Sequence, residues 1–103
     1  MVNIIIYLKK EESAMELVKF LLEEKLITSA TIDENNISYK MENNTFSENV
    51  FSVITAQSKS ILFNDIVKAV EAKIGEGTPI NSTQIIGSNQ IFGDVIRDKT
   101  LSI

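Results

Sequence analysis

Residues 29–57 read SATIDENNISYKMENNTFSENVFSVITAQ, and this stretch decides the fold. Ser29-Ala30-Thr31-Ile32 opens as a strand, Asp33 to Asn36 interrupts it, and alternation resumes with Ile37, Tyr39 and Met41 on one face and Ser38, Lys40 and Glu42 on the other. Asn43-Asn44 is then a turn signal, because asparagine tolerates the positive φ that tight hairpins demand. A further strand runs from Thr45 or Phe46 to about Gln57. Its phase slips near Asn49, where Phe46, Glu48 and Val50 give way to Phe51, Val53 and Thr55, and a β-bulge at that point is expected. Two long strands in direct succession, with no helix between them, exclude a simple alternating βαβ chain.

Working outward, Val2 to Leu8 is an apolar, β-branched run closed by Lys9-Lys10-Glu11-Glu12, as in a central strand buried on both faces. Ala14, Leu17, Val18, Leu21 and Leu22 then recur at helical spacing, with Ser13 and Glu16 as a capping box, so a helix should end near Lys25. Leu26 and Ile27 return the chain to the sheet. On the far side, Phe63, Ile66, Val67, Val70 and Ile74 mark a second helix after Ser58-Lys59-Ser60, with Gly75 as its C-terminal cap. Gly75 to Pro79 is a break. Ile80 to Ile86 reads as a polar edge strand entered after the only proline, and Asn89 caps a short helix with Ile91, Phe92, Val95 and Ile96 on one face. The tail Thr100 to Ile103 is unassigned. The order β-α-β-β-α-β specifies a ferredoxin-like α+β sandwich: a four-stranded antiparallel sheet, two helices on one face, a long hairpin and a short C-terminal helix.

The chain has 103 residues, which suits one domain spanning residues 1–103 with a core large enough to need no staple. It holds no Cys and no His, and so no disulfide, no thiolate nucleophile or ligand, and no imidazole base or ligand. Ten Lys and Arg against fourteen Asp and Glu give a net charge of −4, which argues against nucleic acid as a partner. The first residues have neither a basic leader nor an apolar run long enough to span a bilayer, so no membrane association and a cytoplasmic location are expected. The acids are spread over helix faces with no paired-carboxylate pattern, and no enzyme activity is expected. A ribbon carrying Ile37, Tyr39 and Met41 is longer than a small monomer stabilises alone, so a homo-oligomer is expected.

Four stretches resemble the CutA divalent-cation tolerance family, which shares its fold with the PII signalling proteins: Leu26-Ile27-Thr28-Ser29, Tyr39-Lys40-Met41-Glu42-Asn43, Ala56-Gln57-Ser58 and Ile74-Gly75-Glu76-Gly77-Thr78-Pro79-Ile80. They fall into register without a gap from Leu26 to Pro79, and the resemblance covers roughly residues 2 to 86. It implies a homotrimer whose inter-subunit clefts bind a divalent cation or small ligand, with Tyr39, Glu42, Ser29, Gln57 and Lys59 as cleft candidates. Tyr39, Glu42 and Pro79 match the family pattern. The family cysteine falls on Ser29, its tryptophan on Met41, its lysine on Gln57, its histidine on Ile74 and its last glutamate on Ile80. Copper chemistry therefore does not carry over, and no resident cofactor is implied. A divalent cation would have to rely on oxygen ligands, for which Glu42 and Glu48 beside the hairpin and the Asp33-Glu34-Asn35-Asn36 loop are the candidates. The alternatives are a PII-like signalling module holding a small anionic ligand between subunits, against which the short Asn43-Asn44 tip counts, and a purely structural oligomerisation module.

Overall fold

The computed structural model describes residues 1–102. Strand β1 (Val2–Lys9) leads into helix α1 (Ala14–Glu23), followed by β2 (Ser29–Glu42), β3 (Thr45–Ser58), a 3₁₀ turn at Ser60–Leu62, α2 (Phe63–Lys73), β4 (Ile80–Gln84) and α3 (Gln90–Lys99). The four strands form one sheet in the order β2-β3-β1-β4, antiparallel throughout. This is the ferredoxin-like βαββαβ arrangement with a C-terminal helix added.

The core follows from strand period and helix period together. Val2, Ile4, Ile6 and Leu8 of β1 lie beside Ile54 and Ala56 of β3, and Leu17 and Leu21 of α1 with Ile66 and Val70 of α2 close over them. All are buried. Asn3, Ile5 and Tyr7, on the other face of β1, are only half-buried. The expected burial of β1 on both faces is thus corrected: the helices that supply the core pack on one side of the sheet, and the second side stays open within a single chain. Leu22 likewise lies outside the core, 40% exposed.

Three junctions behave as their residues dictate. Glu16 N–H donates to Ser13 Oγ (3.2 Å) and Phe92 N–H donates to Asn89 Oδ1 (3.0 Å), so both N-caps are formed. Asn43 and Asn44 take φ of 49° and 64°, the doubly positive geometry of a two-residue hairpin turn. Ser58, fully buried, donates through Oγ to the Leu26 carbonyl at 2.5 Å and ties the end of β3 to the loop after α1. α1 stops at Glu23, two residues short of Lys25, which leaves the helix with φ +57°. The last strand ends at Gln84 instead of Ile86.

The bulge lies elsewhere than expected. β3 pairs without a break with β2 from Thr45 to Phe51 and with β1 from Phe51 to Ser58, so its own phase never slips. The irregularity is in β2, where Asp33 pairs with Val53 and Asn36 with Phe51, leaving Glu34 and Asn35 opposite Ser52 alone. Asn35 adopts φ +62° there, as a bulge with a left-handed residue requires. The apparent slip in β3 reflects a change of surroundings: Ser52, Ile54 and Ala56 face the helices, whereas Phe46, Glu48 and Val50 share that face beyond the helices' reach.

β2 and β3 are 14 residues each, and at about 3.3 Å per residue they span about 46 Å. That equals the molecule's longest dimension, 46 × 28 × 21 Å. The hairpin projects from the sandwich, which raises the radius of gyration to 14.6 Å, against about 13 Å for a compact chain of this length.

Candidate binding surface

The bulge decides which way the hairpin faces. Ahead of it, Ala30 and Ile32 share the helix side with Ala56 and Ile54; past it, Ile37, Tyr39 and Met41 take that side, opposite Val50, Glu48 and Phe46. The result is an apolar stripe with nothing over it. Ile37 is 51% exposed, Tyr39 56%, Met41 63% and Phe46 66%. Tyr39 stacks on Phe46 with centroids 5.6 Å apart and planes 21° from parallel, a cross-strand contact that stiffens the ribbon.

The other hairpin side continues the open face of the sheet. There Lys40 and Glu42 form an exposed ion pair (2.7 Å). Tyr39 and Glu42 therefore occupy opposite sides of the ribbon and do not form one site within a chain. Glu42 and Glu48 are separated in the same way, since Glu48 pairs with Tyr39 and Glu42 with Thr45. They cannot grip one ion together. Among the described residues no group of three or more Asp, Glu, His or Cys that could hold a metal ion comes together.

Ser29 and Gln57 do meet. Ser29 Oγ donates to Gln57 Oε1 (2.7 Å), and Gln57 Nε2 donates to Asn3 Oδ1 (3.0 Å), a relay across β2, β3 and β1 that periodicity did not single out. The Ser29 hydroxyl faces an amide, which is no base, so it is not activated as a nucleophile. Lys59 is elsewhere engaged: its Nζ donates to the Leu101 carbonyl at 2.7 Å, and Leu101 N–H donates to the Lys25 carbonyl at 2.9 Å. The unassigned tail thus straps α1 to the start of α2, and Thr100 is buried beneath it.

Sequence reasoning passed over a cleft of about 560 Å³ at the far end of the open face, between the root of the hairpin and the loop Gly75–Pro79. Tyr7 and Phe51 form its floor in an edge-to-face pair, centroids 6.1 Å apart. The available signal was parity: Tyr7 and Phe51 are both odd-numbered on adjacent strands in register, and so share a face.

A small ferredoxin-like sheet with an overlong, apolar arm and a C-terminal helix defines a class of α+β domain that leaves much of its sheet uncovered. Among solved structures the chain is similar to the CutA1 of Oryza sativa (TM-score 0.89, 14% identity, covering 99% of this chain and 94% of that one). It is similar also to the divalent ion tolerance protein CutA1 of Ehrlichia chaffeensis (0.86, 21%, 98% and 95%) and to the divalent cation tolerance protein of Thermus thermophilus (0.86, 22%, 97% and 99%). The chain thus has the fold of the CutA1 divalent-ion tolerance proteins, hairpin and C-terminal helix included. No family model matches the sequence, and no curated protein is similar to it. Among the described residues no helix is long and apolar enough to cross a membrane, and one similar structure is described as a periplasmic CutA, from Archaeoglobus fulgidus.

Proposed function

We propose that this chain is a divergent CutA protein: a cytoplasmic, non-enzymatic homotrimer that serves divalent-cation tolerance and holds its ligands weakly, at clefts between subunits. One observation carries the reading. The CutA1 likeness covers nearly the whole of both chains at TM-scores of 0.86 to 0.89, and two of the four stretches that resemble the family, Tyr39–Asn43 and Ile74–Ile80, lie at the hairpin tip and in the loop before β4. The exposed stripe of Ile37, Tyr39, Met41 and Phe46 supports the trimer, because an apolar surface on a ribbon is stabilised only when something covers it.

The ligand chemistry must differ from that of a copper binder. With neither thiolate nor imidazole in the chain, cation binding would draw on carboxylates, amides and hydroxyls brought together by different subunits, which suits Mg²⁺ or Mn²⁺ better than copper. Calorimetric titration of the assembled protein with Mn²⁺, Mg²⁺ and Cu²⁺ tests this. The expected result is a weak saturable event with Mn²⁺ or Mg²⁺ and none with Cu²⁺; a flat response to all three removes direct cation binding. Light scattering should give about 34 kDa, three copies of the 11.5 kDa chain, and a monomer would remove the trimer.

A further inference from the structure

The hairpin stripe carries a group whose polarity can change. The chain has three methionines and no cysteine, so thioether sulfur is its most readily oxidised side-chain atom. Met41 is the methionine on the stripe: it is 63% exposed, pairs with Phe46 across the hairpin and shares its side of the ribbon with Ile37 and Tyr39. Met15, 74% exposed, stands in the first turn of α1, and Met1, 37% exposed, lies beside Ser88, so neither belongs to the ribbon.

Hydrogen peroxide is a sufficient oxidant. The thioether sulfur gives an electron pair to the peroxide, the O–O bond breaks, one oxygen forms the sulfoxide S–O bond and the other leaves as water. A flexible apolar side chain becomes a polar one with a strong acceptor oxygen. In the free chain water solvates that oxygen. Under a second subunit the water is lost, and burying an unpaired acceptor is costly. At about tenfold per copy the trimerisation constant falls about a thousandfold, because three copies enter each trimer. The concentration at which half the chains are assembled varies as the inverse square root of that constant, and so rises about thirtyfold.

From this placement we propose that Met41 is a redox switch of assembly: peroxide converts it to the sulfoxide in the free chain and so holds the chain unassembled. A methionine sulfoxide reductase reverses the step, with a dithiol oxidised to a disulfide and the sulfoxide oxygen leaving as water. The switch rests on the trimer reading. Assembly covers Met41, so the reaction runs on the dissociated chain and slows as protein concentration rises. Met15, off the ribbon, supplies the reference rate.

Peroxide treatment of the full chain, followed by peptide mass spectrometry and by sedimentation velocity over a concentration series, tests it. Sulfoxide at Met41, relative to Met15, should fall as protein concentration rises, and protein oxidised at Met41 should half-assemble at a concentration about thirtyfold higher. Met41→Leu should keep its assembly after the same treatment even with Met15 oxidised, and Met41→Gln, polar and of similar length, should show the shift without peroxide. Both sulfoxide reductases, one for each epimer, with a dithiol should restore the wild type. Met41 is exposed in the chain, so both variants keep the fold, which circular dichroism checks. The switch is overturned if protein oxidised at Met41 sediments as untreated protein does at every concentration, if oxidised Met41→Leu shows the same shift, or if Met41 and Met15 oxidise in constant ratio. Wild type that is monomeric before treatment overturns the trimer reading and the switch together; a trimer indifferent to oxidation overturns the switch alone.

Discussion

Truncating the hairpin stripe tests how the long ribbon is stabilised. Take the double variant Tyr39→Ala with Phe46→Ala. In one chain these side chains are 56% and 66% exposed, and full burial of a large apolar side chain is worth about 1.5–3 kcal/mol. Covering the exposed part with a second subunit therefore contributes about 1–2 kcal/mol per residue, or about 6–12 kcal/mol over both residues and three symmetric copies. At about 1.4 kcal/mol per tenfold, the trimerisation constant should fall by at least about four orders of magnitude. Within the chain the same change removes only the Tyr39–Phe46 stack, about 0.5–1.5 kcal/mol. Sedimentation velocity should show the wild type as a trimer and the variant as an 11.5 kDa species. Thermal unfolding over about a hundredfold range of concentration should give a midpoint that rises with concentration for the wild type and stays level for the variant. The reasoning is refuted if the variant sediments as the wild type does, or if the wild-type midpoint is independent of concentration.

Other substitutions probe the elements one at a time. Ser58→Ala leaves the buried Leu26 carbonyl without its donor and should cost about 1–3 kcal/mol in urea unfolding, with an unchanged denaturant slope. At the bulge, Asn35→Val forces a β-branched residue to φ +62° and should cost about 1–2 kcal/mol, whereas Asn35→Gly should be neutral or slightly stabilising; equal losses for both would argue against a left-handed residue there. Lys59→Met releases the exposed contact to the Leu101 carbonyl and should cost less than about 1 kcal/mol, with faster amide exchange at Leu101 as the specific sign.

The element order was legible because it rests on local signals. Ser13 and Asn89 as caps, Asn43-Asn44 as the turn and Pro79 ahead of the edge strand each stand where the structure has them. Candidate sites were less legible. Tyr39, Glu42 and Glu48 are near in sequence, but strand alternation puts Glu42 on the opposite side of the ribbon from the other two. The Tyr7–Phe51 floor joins residues 44 positions apart, and no local pattern marks it.

The sequence by itself determined the fold class, since helix period, strand period and turn chemistry are properties of neighbouring residues. It also determined which chemistries are excluded, because a chain without Cys or His cannot regain a thiolate or imidazole by folding. Only the tertiary structure decided that β1 is covered on one side, that the extra residue belongs to β2, and that Lys59 is taken up by the tail. Each of these depends on what lies across from a residue. A shift in apolar phase records that facing has changed, but whether a bulge or the end of a covering helix caused it is settled by the partner strand, which lies far away in sequence.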